Sequence, residues 1–216
     1  MKTKRKQSQQ PPRKSQVALL LIDVINDLAF EEADALLEQA LPMSRKLQLL
    51  KDQAVRHGIP CIYVNDNFGQ WKSDFRLIFN HCTHRRSRGA PISRRLRPMI
   101  SDYFVLKPKH SGFYSTTLDV LLEYLQIHTL IITGIAANIC VLFTANDAYM
   151  RDYELYVPAD CIASNSTEET QYSLQQMETI LKADIRESDD LALDTLVTRH
   201  GRGRRMSGHQ RLIGTN

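Results

Sequence analysis

Three side chains that together could perform nucleophilic chemistry, Asp23, Lys107 and Cys140, lie at or just after short apolar runs of the chain. A thiol reacts as its thiolate, and a neighbouring ammonium favours that form by lowering the pKa of the thiol. A carboxylate can accept the thiol proton and later deliver it to a departing amine. Backbone N–H groups in the turn before Cys140 could bind the oxyanion of a tetrahedral intermediate. The three residue types therefore suit acyl transfer.

Each of these residues also has a plainer explanation. Asp23 could cap a helix, Lys107 could be a surface charge, and Cys140 could be a small buried apolar residue. Their shared position favours the chemical interpretation, because parallel sheets bind ligands at the carboxyl ends of their strands. Asp23 ends the first apolar run and Lys107 the third, and Cys140 follows the fourth.

The elements that must position these residues alternate along the chain. Short apolar runs predict five strands, at 17–22, 59–64, 103–106, 130–133 and 154–157. Helical spacing predicts helices at 33–56, 117–125, 140–150 and 167–182, with a break or first turn at Pro42 and an end at Gly58. Region 68–101 is expected to be irregular. This order predicts an α/β fold, a three-layer α/β/α sandwich with a mainly parallel central sheet.

Composition indicates one globular domain without a membrane span. The chain has 216 residues, 43% hydrophobic and 24% charged, and its longest apolar run is Val17–Ile22. A membrane helix needs about 20 apolar residues. The four cysteines form no CxxC pair, and the N-terminus lacks the apolar core of a secretory signal. We therefore expect reduced thiols, a cytoplasmic location and no membrane partner.

Basic residues concentrate in the two ends of the chain. Residues 1–16 hold six Lys or Arg and residues 199–216 hold five Arg, without any acidic residue. Removing those eleven from 28 basic residues leaves 17 against 24 acidic ones between the tails. We predict two basic disordered tails, 1–16 and 199–216, around a folded domain at 17–198. Nucleic-acid binding is not expected, and only these tails could support it.

Two segments resemble the isochorismatase-like cysteine hydrolase superfamily, which includes nicotinamidases, N-carbamoylsarcosine amidases and ureidoacrylate amidohydrolases. They are LLLIDVINDLAF at 19–30 and the stretch from VLKPKHSGF through GIAANICV to PADCIAS at 105–164. By position, the resemblance implies that Asp23 is the acid/base, Lys107 the lysine and Cys140 the nucleophile of a catalytic triad. Lys109 is the alternative lysine, two residues beyond the strand end.

The resemblance implies further features near Cys140. A non-proline cis peptide is expected to join Ala136 to Ala137. The N–H groups of Ala137 and Cys140 are expected to form the oxyanion hole. The resemblance also implies a homo-oligomer, a dimer or tetramer, and no cofactor.

Two departures from family patterns narrow the expected chemistry. Metal-dependent nicotinamidases carry Asp-x-His-x-x-His after the second strand, whereas residues 65–71 here contain no histidine. His81 and His84, with Cys82 between them, form the only close histidine pair, and we predict no metal site there. Isochorismate hydrolases of this fold lack the nucleophilic cysteine, so the presence of Cys140 favours acyl transfer.

The variable region 68–101 is expected to line the substrate pocket. Candidate pocket residues are Asn26, Phe68, Trp71 and Phe113, and core packing is the alternative for the aromatic ones. One arginine of the dense segment 85–97 could clamp a substrate carboxylate. A solvated surface or an oligomer contact explains these arginines equally well.

The sequence thus predicts a cysteine hydrolase that cleaves a C–N bond of a small carboxamide or ureido substrate through a thioester. The alternative is a catalytically silent protein of the same fold that binds or scaffolds a partner. The joint presence of Asp23, Lys107 and Cys140 argues against the alternative, since an unused site would be free to lose any of them.

Overall fold

The computed structural model describes residues 15–69 and 74–199. Within them, six strands alternate with helices. The strands are β1 Val17–Ile22, β2 Cys61–Asp66, β3 Tyr103–Lys107, β4 Thr129–Ile135, β5 Glu154–Tyr156 and β6 Ile162–Ala163. The α-helices are α1 Ala33–Arg56, α2 Phe75–Cys82, α3 Ala90–Arg95, α4 Leu118–Leu125, α5 Leu142–Tyr149, α6 Thr167–Thr179 and α7 Leu193–Arg199. A π-helical turn, Ala137–Val141, joins β4 to α5, and 3₁₀ turns lie at Ala159–Cys161 and Ser188–Asp190.

The central sheet is parallel, as the alternation of strands and helices predicts. Its order is β3-β2-β1-β4-β5, and β6 pairs with β4 beyond the end of β5. Every strand pair is parallel. The carboxyl ends of β1, β3 and β4 therefore lie along one edge of the sheet.

Both faces of the sheet are covered by helices. Successive side chains of β1 point to opposite faces of the sheet and pack in two separate cores. Val17, Leu19 and Leu21 belong to the core beneath α1. Leu20 and Ile22 belong to the core beneath α4, α5 and α6. All six residues of β1 are buried, which explains why this strand is apolar throughout. The predicted three-layer α/β/α architecture is confirmed.

Helix α1 corrects one prediction, because Pro42 neither breaks it nor begins a turn. The helix runs without interruption from Ala33 to Arg56 with Pro42 inside it. Proline removes one backbone hydrogen bond from a helix. Buried residues on both sides of it, Leu36 and Ala40 before and Met43 and Leu47 after, keep one face of the helix on the sheet. Packing of this face outweighs the lost bond. The predicted end near Gly58 is confirmed, with Gly58 at φ +68°.

Two regions hold more structure than the sequence pattern predicts. The segment expected to be irregular contains α2 and α3, and α7 follows the helix expected to be the last. Leu193 and Leu196 of α7 pack into the core beneath α1. The segment that holds α2 and α3 shows no long helical repeat of apolar residues in the sequence, because α2 buries only Cys82 and α3 has six residues.

The described chain begins and ends at the edges of the predicted domain. Ser15 is buried, and the Gln16 carbonyl accepts hydrogen bonds from the N–H groups of His128 and Thr129. Residues 1–14 and 200–216, the greater part of the predicted tails, lie outside the described residues. Within the described part of the chain, no helix combines the length and apolar character needed to cross a membrane.

Candidate active site

The first component of the site is Asp23, which follows β1 directly. Its backbone adopts φ +50°, and its N–H donates to the Val64 carbonyl at 2.9 Å. The carboxylate atom Oδ1 accepts the N–H of Asp66 at 2.7 Å. Two bonds to β2 therefore fix the carboxylate at the sheet edge, where it is 4% exposed.

Lys107, the last residue of β3, joins the other two predicted residues. Its Nζ lies 2.7 Å from Asp23 Oδ2 and 3.4 Å from Cys140 Sγ. The lysine is entirely buried. Since β2 lies between β3 and β1, the side chain reaches across the end of β2, where Asp66 Oδ2 is 4.0 Å away. Lys109, the alternative lysine, is exposed.

Cys140 reaches this cluster because the chain turns sharply after β4. Gly134 has φ +115°, and a Cβ there would lie 2.0 Å from the Ile22 carbonyl oxygen, so only glycine fits. The following turn is π-helical, with the N–H groups of Ile139 and Val141 bonded to the Ala136 carbonyl. The helix that follows β4 was predicted to begin at Cys140, and in the structure α5 begins at Leu142.

The cis peptide bond lies one residue earlier than predicted. It joins Ile135 to Ala136, not Ala136 to Ala137. The strand β4 extends to Ile135, two residues beyond its predicted end, and Ala137 already belongs to the π-helical turn. The cis bond therefore lies between the last residue of the strand and the turn that leads to Cys140.

The same turn contains the two N–H groups predicted to bind an oxyanion. Asn138 N–H donates to Ser164 Oγ at 3.1 Å, and the N–H groups of Ile139 and Val141 bond within the turn. The N–H groups of Ala137 and Cys140 take no part in these bonds. Their role as an oxyanion hole stays a prediction.

Burial dominates the electrostatics of the cluster. It raises the pKa of Asp23, and the neighbouring ammonium of Lys107 offsets that effect only in part. Burial alone would lower the pKa of Lys107, but Asp23, Cys140 and Asp66 together outweigh it and hold that pKa above its ordinary value. Burial and the Asp23 charge raise the pKa of Cys140 to about 12, against the opposing effect of Lys107. The predicted lowering of the thiol pKa is wrong, because burial and the Asp23 carboxylate both raise it. The thiol is therefore neutral at rest and lies beside the Asp23–Lys107 ion pair.

The other three cysteines differ from Cys140 in exposure. Cys61, Cys82 and Cys161 are free and buried, at 2%, 0% and 0% exposed, whereas Cys140 is partly exposed. Burial raises the pKa of Cys61 and Cys82 to about 12 each and raises that of Cys161 as well. Cys140 therefore differs from the other three cysteines in the exposure of its thiol and not in a lower thiol pKa.

The predicted pocket residues have different environments. Phe68 is partly buried against the core beneath α1, while Phe113 is 6% exposed and packs in the opposite core. The Arg151 guanidinium lies over the Phe113 ring at 4.6 Å. Core packing thus accounts for Phe113. Asn26 uses its Oδ1 locally, as acceptor for the Leu28 N–H at 2.8 Å. Trp71 lies outside the described residues.

A cavity of about 390 Å³ lies beside the cluster, between the loops that follow β1 and β2. We call it the β1–β2 cavity. Its apolar lining is Phe68, Leu77 and Ile78, and its polar lining is Asp27, Asn67, Asp74 and His81. Asn67 connects it to the cluster, because its N–H donates to the Lys107 carbonyl at 3.1 Å. None of Asp23, Lys107 and Cys140 is among the residues that line the cavity.

One histidine of the close pair is bonded to a carboxylate. His81 Nε2 lies 2.7 Å from Asp27 Oδ2, and Cys82 is buried. Among residues 15–69 and 74–199, no group of three or more His, Cys, Asp or Glu side chains is arranged to hold a metal ion.

The arginine-rich segment braces the loop that carries Asp23. Gly89 approaches this loop so closely that a Cβ would lie 1.8 Å from the Asn26 carbonyl oxygen. Ser93, fully buried, accepts the Asn26 N–H at 3.2 Å. Two arginines bond to backbone carbonyls, Arg94 to Thr83 and Arg88 to Phe30. Sequence reasoning missed this bracing because no local pattern links residues that are 67 positions apart.

The chain is similar in sequence to proteins of one family. The family model described as Isochorismatase domain matches residues 17–188. An uncharacterized isochorismatase family protein of Bacillus subtilis, YaaI, is 46% identical over 172 residues, covering 80% of this chain and 94% of that protein. The ureidoacrylate amidohydrolase RutB of Methylorubrum extorquens is 48% identical over only 65 residues, 30% of this chain and 26% of that protein.

Solved structures share the fold. An N-carbamoylsarcosine amidase from Thermoplasma acidophilum has a TM-score of 0.64 and 25% identity, covering 82% of this chain and 98% of that one. The nicotinamidase of Staphylococcus aureus has a TM-score of 0.62 and 20% identity, covering 80% and 98%. Because the family model spans most of the chain, the chain belongs to the isochorismatase family, whose members include hydrolases that act on amides.

Proposed function

We propose that this protein hydrolyses a C–N bond of a small carboxamide or ureido substrate through a thioester on Cys140. The observation that carries the proposal is the position of Lys107 Nζ, in contact with both Asp23 Oδ2 and Cys140 Sγ. A fully buried lysine that bridges a carboxylate and the one partly exposed thiol has no evident structural purpose at this edge. The amide hydrolases among its relatives support the same class of reaction.

In the first half-reaction, Cys140 Sγ attacks the carbonyl carbon as its proton passes to Asp23. Asp23 and the thiol both contact the Lys107 ammonium, and the Asp23 charge acts on the thiol, which supports a direct transfer of the proton between them. The raised pKa of Asp23 makes it a better base for this proton than an ordinary aspartate. Lys107 keeps its proton and stabilises the negative charge that develops on sulfur and then on the carbonyl oxygen. A free thiolate is not required beforehand.

Collapse of the tetrahedral intermediate breaks the C–N bond. Asp23 then gives its proton to the leaving nitrogen, which departs as ammonia or an amine, and the acyl group remains on sulfur as a thioester. In the second half-reaction, Asp23 accepts a proton from water as the water oxygen attacks the thioester carbon. The acid product leaves, and the proton returns to Cys140. The N–H groups of Ala137 and Cys140 would bind the oxyanion in both halves.

Ammonia release from a panel of small amides and ureido compounds tests the proposal. We expect release from at least one member by the wild-type protein and a loss of at least about a thousandfold in Cys140→Ala, as expected when a nucleophile is removed. Cys61→Ala is the matched control, because this buried thiol begins β2 at the opposite edge of the sheet. Release that survives in Cys140→Ala would refute the thioester route. Silence of the wild-type protein on the whole panel would favour the binding-protein alternative.

We further propose that the protein forms a homo-oligomer. Two large apolar side chains of α4 and α5, Val120 at 68% and Phe143 at 51%, are at least half exposed, and so is Met150, directly after α5, at 69%. Exposed apolar side chains of this size often belong to an interface. Light scattering coupled to size-exclusion chromatography measures the mass, and a strictly monomeric mass of 24.8 kDa would refute the proposal.

A further inference from the structure

The loop that follows Lys107 is bonded to the helix that follows Cys140. This loop, residues 108–117, leaves β3 directly after the lysine, and α5 begins two residues after the cysteine. The strands β2 and β1 lie between β3 and β4, so β3 and β4 are not neighbours in the described sheet. The position of Lys107 relative to Cys140 therefore depends on contacts outside the strand pairing.

The hydroxyl of Thr144, in α5, makes a contact of this kind. Its Oγ1 donates to the Cys140 carbonyl at 2.7 Å and accepts the N–H of Gly112 at 3.0 Å. Thr144 is fully buried, so bulk water does not compete for either bond. One oxygen atom therefore joins the backbone of Cys140 to the loop that begins after Lys107.

Close packing holds Gly112 in the position that this bond requires. A Cβ at Gly112 would lie 2.8 Å from Val64 Cγ1 in β2 and 3.4 Å from Thr144 Cγ2. The backbone of Gly112 is therefore enclosed between the sheet and α5. Its carbonyl accepts the Thr116 hydroxyl at 2.5 Å, so both polar groups of this residue are bonded.

A second bond between the loop and α5 lies farther along the helix and does not reach Cys140. The Ser111 hydroxyl donates to Asp147 Oδ2 and accepts the Phe113 N–H. Asp147 comes three residues after Thr144, on the same face of the helix. Loss of the Thr144 bonds is therefore expected to loosen the turn that carries Cys140 while the loop stays attached to α5.

We infer, on the basis of the proposed function, that Thr144 is a positioning residue that holds the Cys140 sulfur in contact with Lys107. The Thr144 hydroxyl is bonded to the carbonyl of Cys140 and not to its sulfur, so it acts through the backbone. Its bond fixes the peptide plane that follows Cys140, while its bond to Gly112 ties that plane to the loop after Lys107. A displacement of a reacting group by about 1 Å can lower a rate about a hundredfold.

Steady-state hydrolysis of an amide from the panel measures the effect of the Thr144 hydroxyl. Thr144→Val removes the hydroxyl and keeps the branched shape. We expect kcat to fall about tenfold, since a loosened turn permits a displacement below 1 Å, and KM to stay within about twofold. Thr144→Ala, which places no methyl group against Gly112, is expected to lose as much. Thr144→Ser keeps the hydroxyl and is expected to retain kcat to within about threefold.

Ser44→Ala is the matched control. Ser44 is fully buried, and its hydroxyl donates to the Leu41 carbonyl within α1, on the opposite face of the sheet. The variant therefore loses a comparable helical hydroxyl bond at a distance from Cys140, and we expect its kcat to stay within about twofold of wild type. A wild-type kcat in both Thr144→Val and Thr144→Ala, a loss confined to KM, or no recovery in Thr144→Ser would overturn the inference.

Labelling of Cys140 by iodoacetamide separates this inference from the proposed function, because it needs no substrate. A loosened turn exposes the sulfur and relieves the burial that raises the pKa of Cys140. We expect the Cys140 peptide to be labelled at least about threefold faster in Thr144→Val than in wild type, with the rate unchanged in Thr144→Ser and Ser44→Ala. The other three cysteines are expected to stay unlabelled, as buried thiols in a folded protein do.

The labelling pattern has distinct outcomes. Faster labelling confined to Cys140 supports the positioning role even if no amide is hydrolysed, in which case only the proposed hydrolysis fails. A wild-type labelling rate in Thr144→Val would overturn the inference. Faster labelling of all four cysteines would also overturn it, because the hydroxyl would then support the whole fold and not the position of Cys140.

Discussion

Replacing Asp23 with Asn is expected to make the Cys140 thiol more reactive towards iodoacetamide while it abolishes hydrolysis. The thiol shares its buried surroundings with one anion, Asp23, and one cation, Lys107, whose Nζ is 3.4 Å from the sulfur. Asp23→Asn removes the anion and leaves the buried ammonium without its partner at 2.7 Å. The thiolate then becomes the counter-ion of Lys107, and the pKa of Cys140 falls.

The size of the effect follows from Coulomb's law. A unit charge about 4 Å away is worth about 4 kcal/mol at an effective dielectric constant of 20, or about 3 pKa units. If relaxation of the site removes half of this, the pKa falls by about 1.5 units and the thiolate fraction near neutral pH rises about thirtyfold. A less basic thiolate is also less nucleophilic, which reduces the net gain in alkylation rate to about fivefold.

The assay is the rate of carbamidomethylation of the Cys140 peptide by mass spectrometry at pH 7.5. Asp66→Asn is the matched control, because this carboxylate is 4.0 Å from Lys107 but 40% exposed, so water screens it. We expect less than about a twofold change there, since exposed charges couple weakly. An Asp23→Asn protein that is alkylated no faster than wild type would refute the electrostatic account of the site, provided that Cys61, Cys82 and Cys161 stay unlabelled as in a folded protein.

Other predictions concern pH, packing and a buried ion pair. The alkylation rate of wild-type Cys140 should rise about tenfold per pH unit from pH 7 to 9 without a plateau. The reason is that the pKa of Cys140 is about 12, and the thiolate fraction grows about tenfold per pH unit below the pKa. A plateau of the rate near neutral pH would contradict this. Gly89→Ala should lower the free energy of unfolding by about 3 kcal/mol in urea titrations, since the new Cβ meets backbone 1.8 Å away. Gly58→Ala, with nothing within 4 Å but a φ of +68°, is its control and should cost about 1 kcal/mol. Lys51→Met should cost about 3–5 kcal/mol, because it leaves Asp102 buried without its partner at 2.7 Å; a loss below 1 kcal/mol would show that the pair is not needed.

The sequence was sufficient to predict the sheet and the meeting of the three candidate residues. Both rest on a regular signal, since strands buried on both faces are apolar throughout and their carboxyl ends share an edge. Asp23 and Lys107 are adjacent to strands whose ends the sequence located to within a residue or two. The contact between Asp23 and Lys107 therefore needed no knowledge of loop conformation, whereas Cys140 reaches them through the turn that follows β4.

Features that depend on distant contacts were not predictable in the same way. The continuity of α1 through Pro42 depends on how well its face packs against the sheet, which local propensity does not include. The end of β4 at Ile135, next to the cis peptide, pairs with β6, a strand of two residues that the sequence pattern did not predict. The raised pKa of Cys140 depends on burial, which the residue types alone do not reveal. The bracing of the Asp23 loop by Gly89 and Ser93 joins segments that share no pattern.

The central claim is that Cys140 carries the acyl group of the substrate. An amide hydrolysed by the protein is mixed with it, the reaction is quenched with acid within one turnover, and the peptide containing Cys140 is weighed by mass spectrometry. We predict an added mass equal to the acyl group on that peptide, lost on treatment with hydroxylamine and absent in Cys140→Ala. Ammonia release at the wild-type rate with no adduct on Cys140, and with undiminished turnover in Cys140→Ala, would contradict the account.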